Sequence, residues 1–91
     1  MVVVVAVDEI EIYEKIKHII SDKTKLDNEI IVKDTKLFED LSIDILDMLE
    51  IIIDIEEKFN IELLEKFTDN IVMVEDIVKL VKNILDEEKN K

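Results

Sequence analysis

Residues 37–51 read LFEDLSIDILDMLEI and join an acidic loop to an acidic and apolar helix. Asp44 is placed to cap the first turn of this helix, and Asp47, three residues later, completes a capping-box pattern. Apolar side chains then recur with a helical period as far as Phe59. The sequence therefore predicts a helix from about Asp44 to Phe59, the best-defined element of the chain.

The predicted helix carries two apolar stripes instead of one. Their members are Leu46, Leu49 and Ile53 in one stripe, and Ile52, Ile55 and Phe59 in the other. A small helical domain does not bury both stripes of one helix. We therefore expect part of this surface to be exposed between acidic side chains, as in a docking site.

Working outward from this helix, the apolar spacing predicts further helices from about Asp8 to Ser21 and from about Val74 to Leu85. Residues 62–70 allow one short helical turn. Residues 22–43 lose the helical period, so they predict a long loop held to the core by isolated apolar side chains. These are Ile30, Ile31, Val32, Leu37, Phe38 and Leu41.

Length and composition predict one compact domain. The chain has 91 residues, of which 48% are apolar, enough for a single core. We expect this domain to span residues 8–85, with a flexible apolar leader at 1–7 and a frayed polar tail at 86–91. The leader is too short to cross a bilayer, which needs about 20 apolar residues.

The net charge of -12 limits the classes of molecule that this chain is expected to bind. Nucleic acid and anionic membrane surfaces would repel this chain, whereas proteins with basic docking patches would attract it. There is no cysteine, which fits a reducing compartment. We therefore expect the cytoplasm or the soluble lumen of an organelle.

Residues suited to catalysis or metal binding are few. His18 is the single histidine, and no glycine is present to build a phosphate-binding loop. A calcium loop beginning at Asp40 fails, because Ile45 stands where glycine is needed and Ile51 where a glutamate should close the site. We expect neither an enzyme nor a metal site.

Residues 37–51 resemble the signature of the acyl carrier protein family, in which Phe or Leu precedes Asp-Leu-Gly-x-Asp-Ser-Leu and an acidic, apolar helix. The likeness continues through Glu56–Phe59, through Ile61–Leu63 and into the terminal helix. The resemblance implies an all-α, four-helix bundle with a long loop between helices 1 and 2 and a short helix 3.

The resemblance also implies a partner-binding surface on the second helix, facing enzymes of acyl synthesis. Its acidic members, which would meet basic residues of partners, are Asp44, Asp47, Glu50 and Glu56. Its apolar members are Leu46, Leu49 and Ile53.

The sequence departs from the family at the position that carries its chemistry. The serine to which 4′-phosphopantetheine is attached aligns with Ile45, and the family's glycine aligns with Ser42. The helix III proline aligns with Leu64, and a threonine that often caps helix IV aligns with Val72 or Met73. Isoleucine has no nucleophilic atom, so no phosphoester forms at residue 45.

Ser42 is a poor substitute for the missing hydroxyl, because it presents its oxygen three residues earlier and a misplacement of about 1 Å costs on the order of 10²-fold in rate.

The sequence leaves three candidate functions open. The first is a partner-binding or scaffold protein of acyl metabolism that lacks the prosthetic group. The second is a genuine acyl carrier for fatty acid or polyketide synthesis, modified elsewhere or seen here as a mutated form. The third is a helical oligomerisation module whose helices exchange between chains; of the two oligomeric states that we expect, monomer or swapped dimer, it requires the dimer.

Overall fold

The computed structural model describes residues 8–89, which form an all-α fold; the predicted leader, 1–7, lies outside the described residues. The α-helices are α1, Glu9–Thr24; α2, Ile45–Phe59; and α3, Val74–Lys89. Single 3-10 turns at Asn28–Ile30 and Leu64–Lys66 lie in the two connections. No helix within 8–89 is both long and apolar enough to cross a bilayer.

The core is aliphatic and receives side chains from every element except the two 3-10 turns. Its buried members are Ile12, Ile16 and Ile20 of α1; Met48, Ile51, Ile52 and Ile55 of α2; Val74, Ile77, Val78, Val81 and Ile84 of α3; and Ile31, Leu37, Leu41, Ile61 and Leu63 of the connections. Branched side chains at helical spacing therefore turn one face of each helix into a shared core, in which α1 packs against both α2 and α3. Each fully buried side chain contributes roughly 1.5–3 kcal/mol to stability.

The bundle has three α-helices within the described residues, not the four that were predicted. The expected third helix is reduced to the 3-10 turn Leu64–Lys66, where the N–H of Lys66 donates to the carbonyl of Leu63 at 2.9 Å. The N–H groups of Leu63 and Leu64 are already bonded to the Glu56 carboxylate. The Glu56 carboxylate therefore fixes the start of the turn, and the N–H of Phe67, which donates to the carbonyl of Leu64 at 3.2 Å, closes it.

Two predicted helix ends were wrong. Helix α1 continues three residues past Ser21 to Thr24, whose hydroxyl donates to the carbonyl of Ile20 at 2.8 Å. Helix α3 continues past Leu85 to Lys89, so the first residues of the predicted frayed tail are helical. An ion pair between Lys82 and Asp86, at 2.9 Å and one turn apart, supports this extension.

The connection from α1 to α2 is pinned to the start of α3 by backbone hydrogen bonds. The N–H of Leu37 donates to the carbonyl of Val72 at 2.9 Å, and the N–H of Val74 donates to the carbonyl of Thr35 at 3.0 Å. This pairing gives the isolated antiparallel bridge between Lys36 and Met73. The loop thus supplies an acceptor to α3, whose first N–H groups have none within the helix.

The apolar residues predicted to hold this connection divide into two groups. Ile31, Leu37 and Leu41 are buried, whereas Ile30, Val32 and Phe38 are exposed. Neighbouring residues in the pairs 30–31, 31–32 and 37–38 point to different sides of the chain. Only one member of each pair therefore reaches the core, and the prediction was wrong for the other.

Candidate partner-docking face

The start of α2 is fixed by two aspartates that cap each other's backbone. The Asp44 carboxylate accepts a hydrogen bond from the N–H of Asp47 at 2.9 Å, and the Asp47 carboxylate accepts one from the N–H of Asp44 at 3.3 Å. The predicted capping box is confirmed. Both negative charges lie where the helix dipole favours them, and both carboxylates also support the fold.

One apolar stripe of α2 is exposed, as its two-stripe pattern predicted. Ile45, the first residue of the helix, is 69% exposed, and Leu46 is 66% exposed. Leu49 and Ile53 are also exposed, whereas the other stripe turns into the core. We call the exposed set Ile45, Leu46, Leu49 and Ile53, together with Asp44, Asp47 and Glu50, the docking face.

The acids farther along α2 are tied to α1 through a single lysine. The Lys23 ammonium lies 3.2 Å from the Glu50 carboxylate and 3.6 Å from that of Asp54. The side-chain hydrogen bond with Glu50 is the largest cause that raises the pKa of Lys23; desolvation, the next in size, opposes it, and the charges of Asp54 and Glu50 add to the rise. Sequence reasoning missed both Lys23 and Asp54, because nothing in α2 alone shows which lysine of α1 faces it.

Glu56, predicted to bind partners, lies at the opposite end of α2 and has a structural role. Its carboxylate accepts hydrogen bonds from the N–H groups of Leu63 at 2.8 Å and Leu64 at 3.2 Å. A carboxylate that receives two backbone bonds is held in place and partly covered. Its role in partner binding stays a prediction, separate from the exposed acids at the start of the helix.

The chain contains six hydroxyl groups, and five of them are engaged in the fold. Those five belong to Tyr13, Ser21, Thr24, Thr35 and Thr68, and each makes a hydrogen bond to a nearby backbone group. The sixth, on Ser42, is exposed. Ser42 has a left-handed backbone conformation, φ 54°, which glycine adopts without a steric penalty.

A groove of about 320 Å³ adjoins the docking face at Ile45. Its walls come from the loop before α2, from Ile45 itself and from the connection to α3, and they comprise Lys36, Phe38, Glu39, Ile45, Phe67, Thr68, Asp69, Ile71 and Val72. Three separate parts of the chain meet here. Nothing in the sequence of one segment indicates that it packs beside the other two, so the groove was not predicted.

Comparison with known proteins gives the family of this fold. A family model described as "Phosphopantetheine attachment site" matches residues 14–66, more than half of the chain. The chain belongs to this family. The matched segment runs from α1 to the second 3-10 turn and contains the whole docking face.

Individual relatives are named acyl carrier proteins. One from Thermosynechococcus vestitus is 34% identical over 73 residues, which cover 80% of this chain and 90% of the relative. Another, from Campylobacter lari, is 29% identical over 73 residues, or 80% of this chain and 95% of the relative. This family membership confirms the resemblance inferred from residues 37–51.

Proposed function

We propose that this chain is a carrier-fold protein of acyl metabolism that binds partner proteins without carrying a phosphopantetheine arm. The single observation behind the proposal is the hydrocarbon side chain of Ile45, 69% exposed at the first position of α2. In our alignment, this is the position of the family's attachment serine. The residue is accessible to a modifying enzyme, yet it has no atom that forms a phosphoester.

The residues at the start of α2 do not fit the prosthetic group that the family description implies. Attachment needs a hydroxyl oxygen to displace 3′,5′-ADP from coenzyme A, and Ile45 offers only carbon. Ser42 and Thr68 carry exposed hydroxyls near Ile45, but Ser42 precedes the helix and Thr68 lies in the connection to α3. Its left-handed backbone supports our alignment with the family's glycine, and therefore that of Ile45 with the serine.

The docking face supports the partner-binding half of the proposal. It combines exposed aliphatic side chains with carboxylates in a chain of net charge -12. Basic patches on an acyl-metabolism enzyme would be steered to it by charge, and the apolar residues would supply contact area. We expect such a protein to act as a scaffold, regulator or competitor for those enzymes and to have no catalytic activity of its own.

The second candidate is a genuine acyl carrier. The description of the family model and the names of the relatives favour it. Under this alternative the prosthetic group would be attached to Ser42, or the given sequence would be a mutated form of a carrier that has serine at residue 45.

One experiment separates the two candidates. The chain is incubated with coenzyme A and a phosphopantetheinyl transferase, and its intact mass is measured beside those of Ile45→Ser and Ser42→Ala. We expect no mass gain for the chain as given and one phosphopantetheine on Ile45→Ser. A gain on the chain itself that disappears in Ser42→Ala would overturn the proposal in favour of the carrier.

A second experiment tests partner binding. Affinity for an enzyme that acts on acyl carrier proteins is measured by calorimetry for the chain, for Glu50→Lys and for Glu14→Lys. The two variants change net charge equally, but Glu14 is an exposed residue of α1, outside the docking face. We expect only Glu50→Lys to weaken binding substantially; equal effects would show that net charge alone matters and would contradict the docking face.

A further inference from the structure

Apolar side chains remain open to water in the groove beside the first turn of α2. Phe38 is 40% exposed, Ile45 is 69% exposed and Val72 is 45% exposed, while Phe67 and Ile71 are partly covered beside them. Covering such a surface would remove apolar area from water, which is favourable. A volume of about 320 Å³ places the groove at the low end of the range for ligand sites, roughly 300–1,000 Å³.

The charges around the groove indicate the sign of its occupant. Lys36 lies 3.5 Å from Glu39, so these two charges compensate each other within the chain. Within the described residues Asp69 makes no ion pair, and the carboxylates of the Asp44–Asp47 capping box lie beside Ile45 at the start of α2. The surroundings are therefore negative and favour a positively charged neighbour.

On the basis of the proposed function, we propose that this groove receives one aromatic or long aliphatic side chain projecting from a basic segment of the partner protein. Basic residues flanking that side chain would face Asp69 and the start of α2. Ile45 then contributes directly to partner binding, because its side chain forms a wall of the groove at the position where the alignment places the family's modified serine.

The other possible occupants carry the same sign of charge as the groove and are repelled by it. A second copy would bring another net charge of -12 to an already acidic surface. A free fatty acid would bring a carboxylate to the same acids. A basic segment with an apolar side chain matches both features of the groove: the side chain would cover the apolar walls, and the basic residues would face the nearby carboxylates.

The proposal is tested by methyl NMR of the isoleucine-labelled chain. The probes are a short lysine-rich peptide with one central phenylalanine, the same peptide with alanine in that place, and decanoate. We expect the phenylalanine peptide to shift the methyl signals of Ile45 and Ile71 and to leave that of Ile10 unchanged. Replacing phenylalanine with alanine should weaken binding about tenfold or more, because the phenyl ring no longer covers the apolar walls of the groove.

Ile45→Ser and Ile10→Ser form a matched pair. Both isoleucines lie in the first turn of a helix, and Ile10 is 65% exposed, close to the exposed fraction of Ile45. We expect Ile45→Ser to bind the phenylalanine peptide several-fold more weakly, and Ile10→Ser to bind it as the unmodified chain does. Equal affinity of the two variants would overturn the groove proposal.

Three other outcomes would also overturn the groove proposal. Shifts of Ile45 with decanoate but not with the peptide would assign the groove to an acyl chain, and shifts on changing protein concentration alone would assign it to a second copy. Equal shifts with both peptides would show that the peptides bind through charge alone and that no aromatic side chain enters the groove. If the acyl-metabolism enzyme still binds in a Glu50-dependent way, any of these results rejects the groove while the proposed function stands.

Discussion

The Glu56 carboxylate accepts a hydrogen bond from the backbone N–H of Leu63 at 2.8 Å, across the left-handed turn at Asn60 that ends α2. The same oxygen also accepts a bond from the N–H of Leu64 at 3.2 Å. This carboxylate therefore fixes the path of the chain as it leaves α2. The 3-10 turn Leu64–Lys66 begins directly after these bonded N–H groups.

We expect Glu56→Ala to lower the free energy of unfolding by about 1.5–3 kcal/mol, the range for hydrogen bonds to a charged group. Urea unfolding followed by circular dichroism measures the change. Glu57→Ala is the matched control, because Glu57 is exposed on the same helix, and it should change stability by less than about 0.5 kcal/mol. Equal losses in the two variants would contradict a structural role for Glu56.

Asp47 belongs to both the capping box and the docking face, so its substitution should affect both stability and partner binding. Loss of its bond to the N–H of Asp44 should lower stability by about 1 kcal/mol in Asp47→Ala, as for other helix caps. Glu50→Ala serves as the comparison, because it leaves the capping box intact and loses only a solvent-screened ion pair with Lys23. Thermal unfolding should show a clearly larger loss for Asp47→Ala; the reverse order would contradict this division of roles.

The sequence predicted what depends on near neighbours along the chain. The capping box of α2 joins residues three apart, and the two stripes of the helix follow from its period, so both were visible in residues 44–59. The bond from Leu63 to Glu56 and the ion pairs of Lys23 join residues whose spacing follows no local rule. The same holds for the groove beside Ile45, which exists only once separate segments have packed.

Asp76 caps α3 in the absence of a capping side chain before that helix. Its carboxylate accepts hydrogen bonds from the N–H groups of Met73 and Val72, both at 2.9 Å. The bond from Met73 is the larger cause and that from Val72 the next, and together they lower the pKa of Asp76. The aspartate thus satisfies backbone donors before a helix in which Met73, the residue preceding Val74, has no side-chain oxygen to cap the first turn.

A lowered pKa in the folded state means that this carboxylate stabilises the fold above its unfolded pKa, near 3.8, and that the contribution disappears as the pH falls through the folded pKa. Asp76→Asn keeps an acceptor oxygen but loses the negative charge, so it should cost roughly 0.3–1 kcal/mol at pH 7, and the difference from the unmodified chain should shrink below about pH 4. Urea titrations of both proteins across this range measure it. Glu75→Gln, which loses only an exposed ion pair with Lys79, should cost less than about 0.5 kcal/mol at pH 7.

Lys25 ends α1 in a left-handed conformation, φ 64°, while its N–H donates to the carbonyl of Ser21 at 2.8 Å. A side chain with a Cβ atom is strained there by roughly 1–2 kcal/mol, whereas glycine is not. Glycine also makes the unfolded chain more flexible, which offsets part of the gain. We expect Lys25→Gly to be about 1 kcal/mol more stable than Lys25→Ala in urea unfolding. The two variants lose the same charge, so their difference isolates the backbone effect, and equal stabilities would show that this helix end is unstrained.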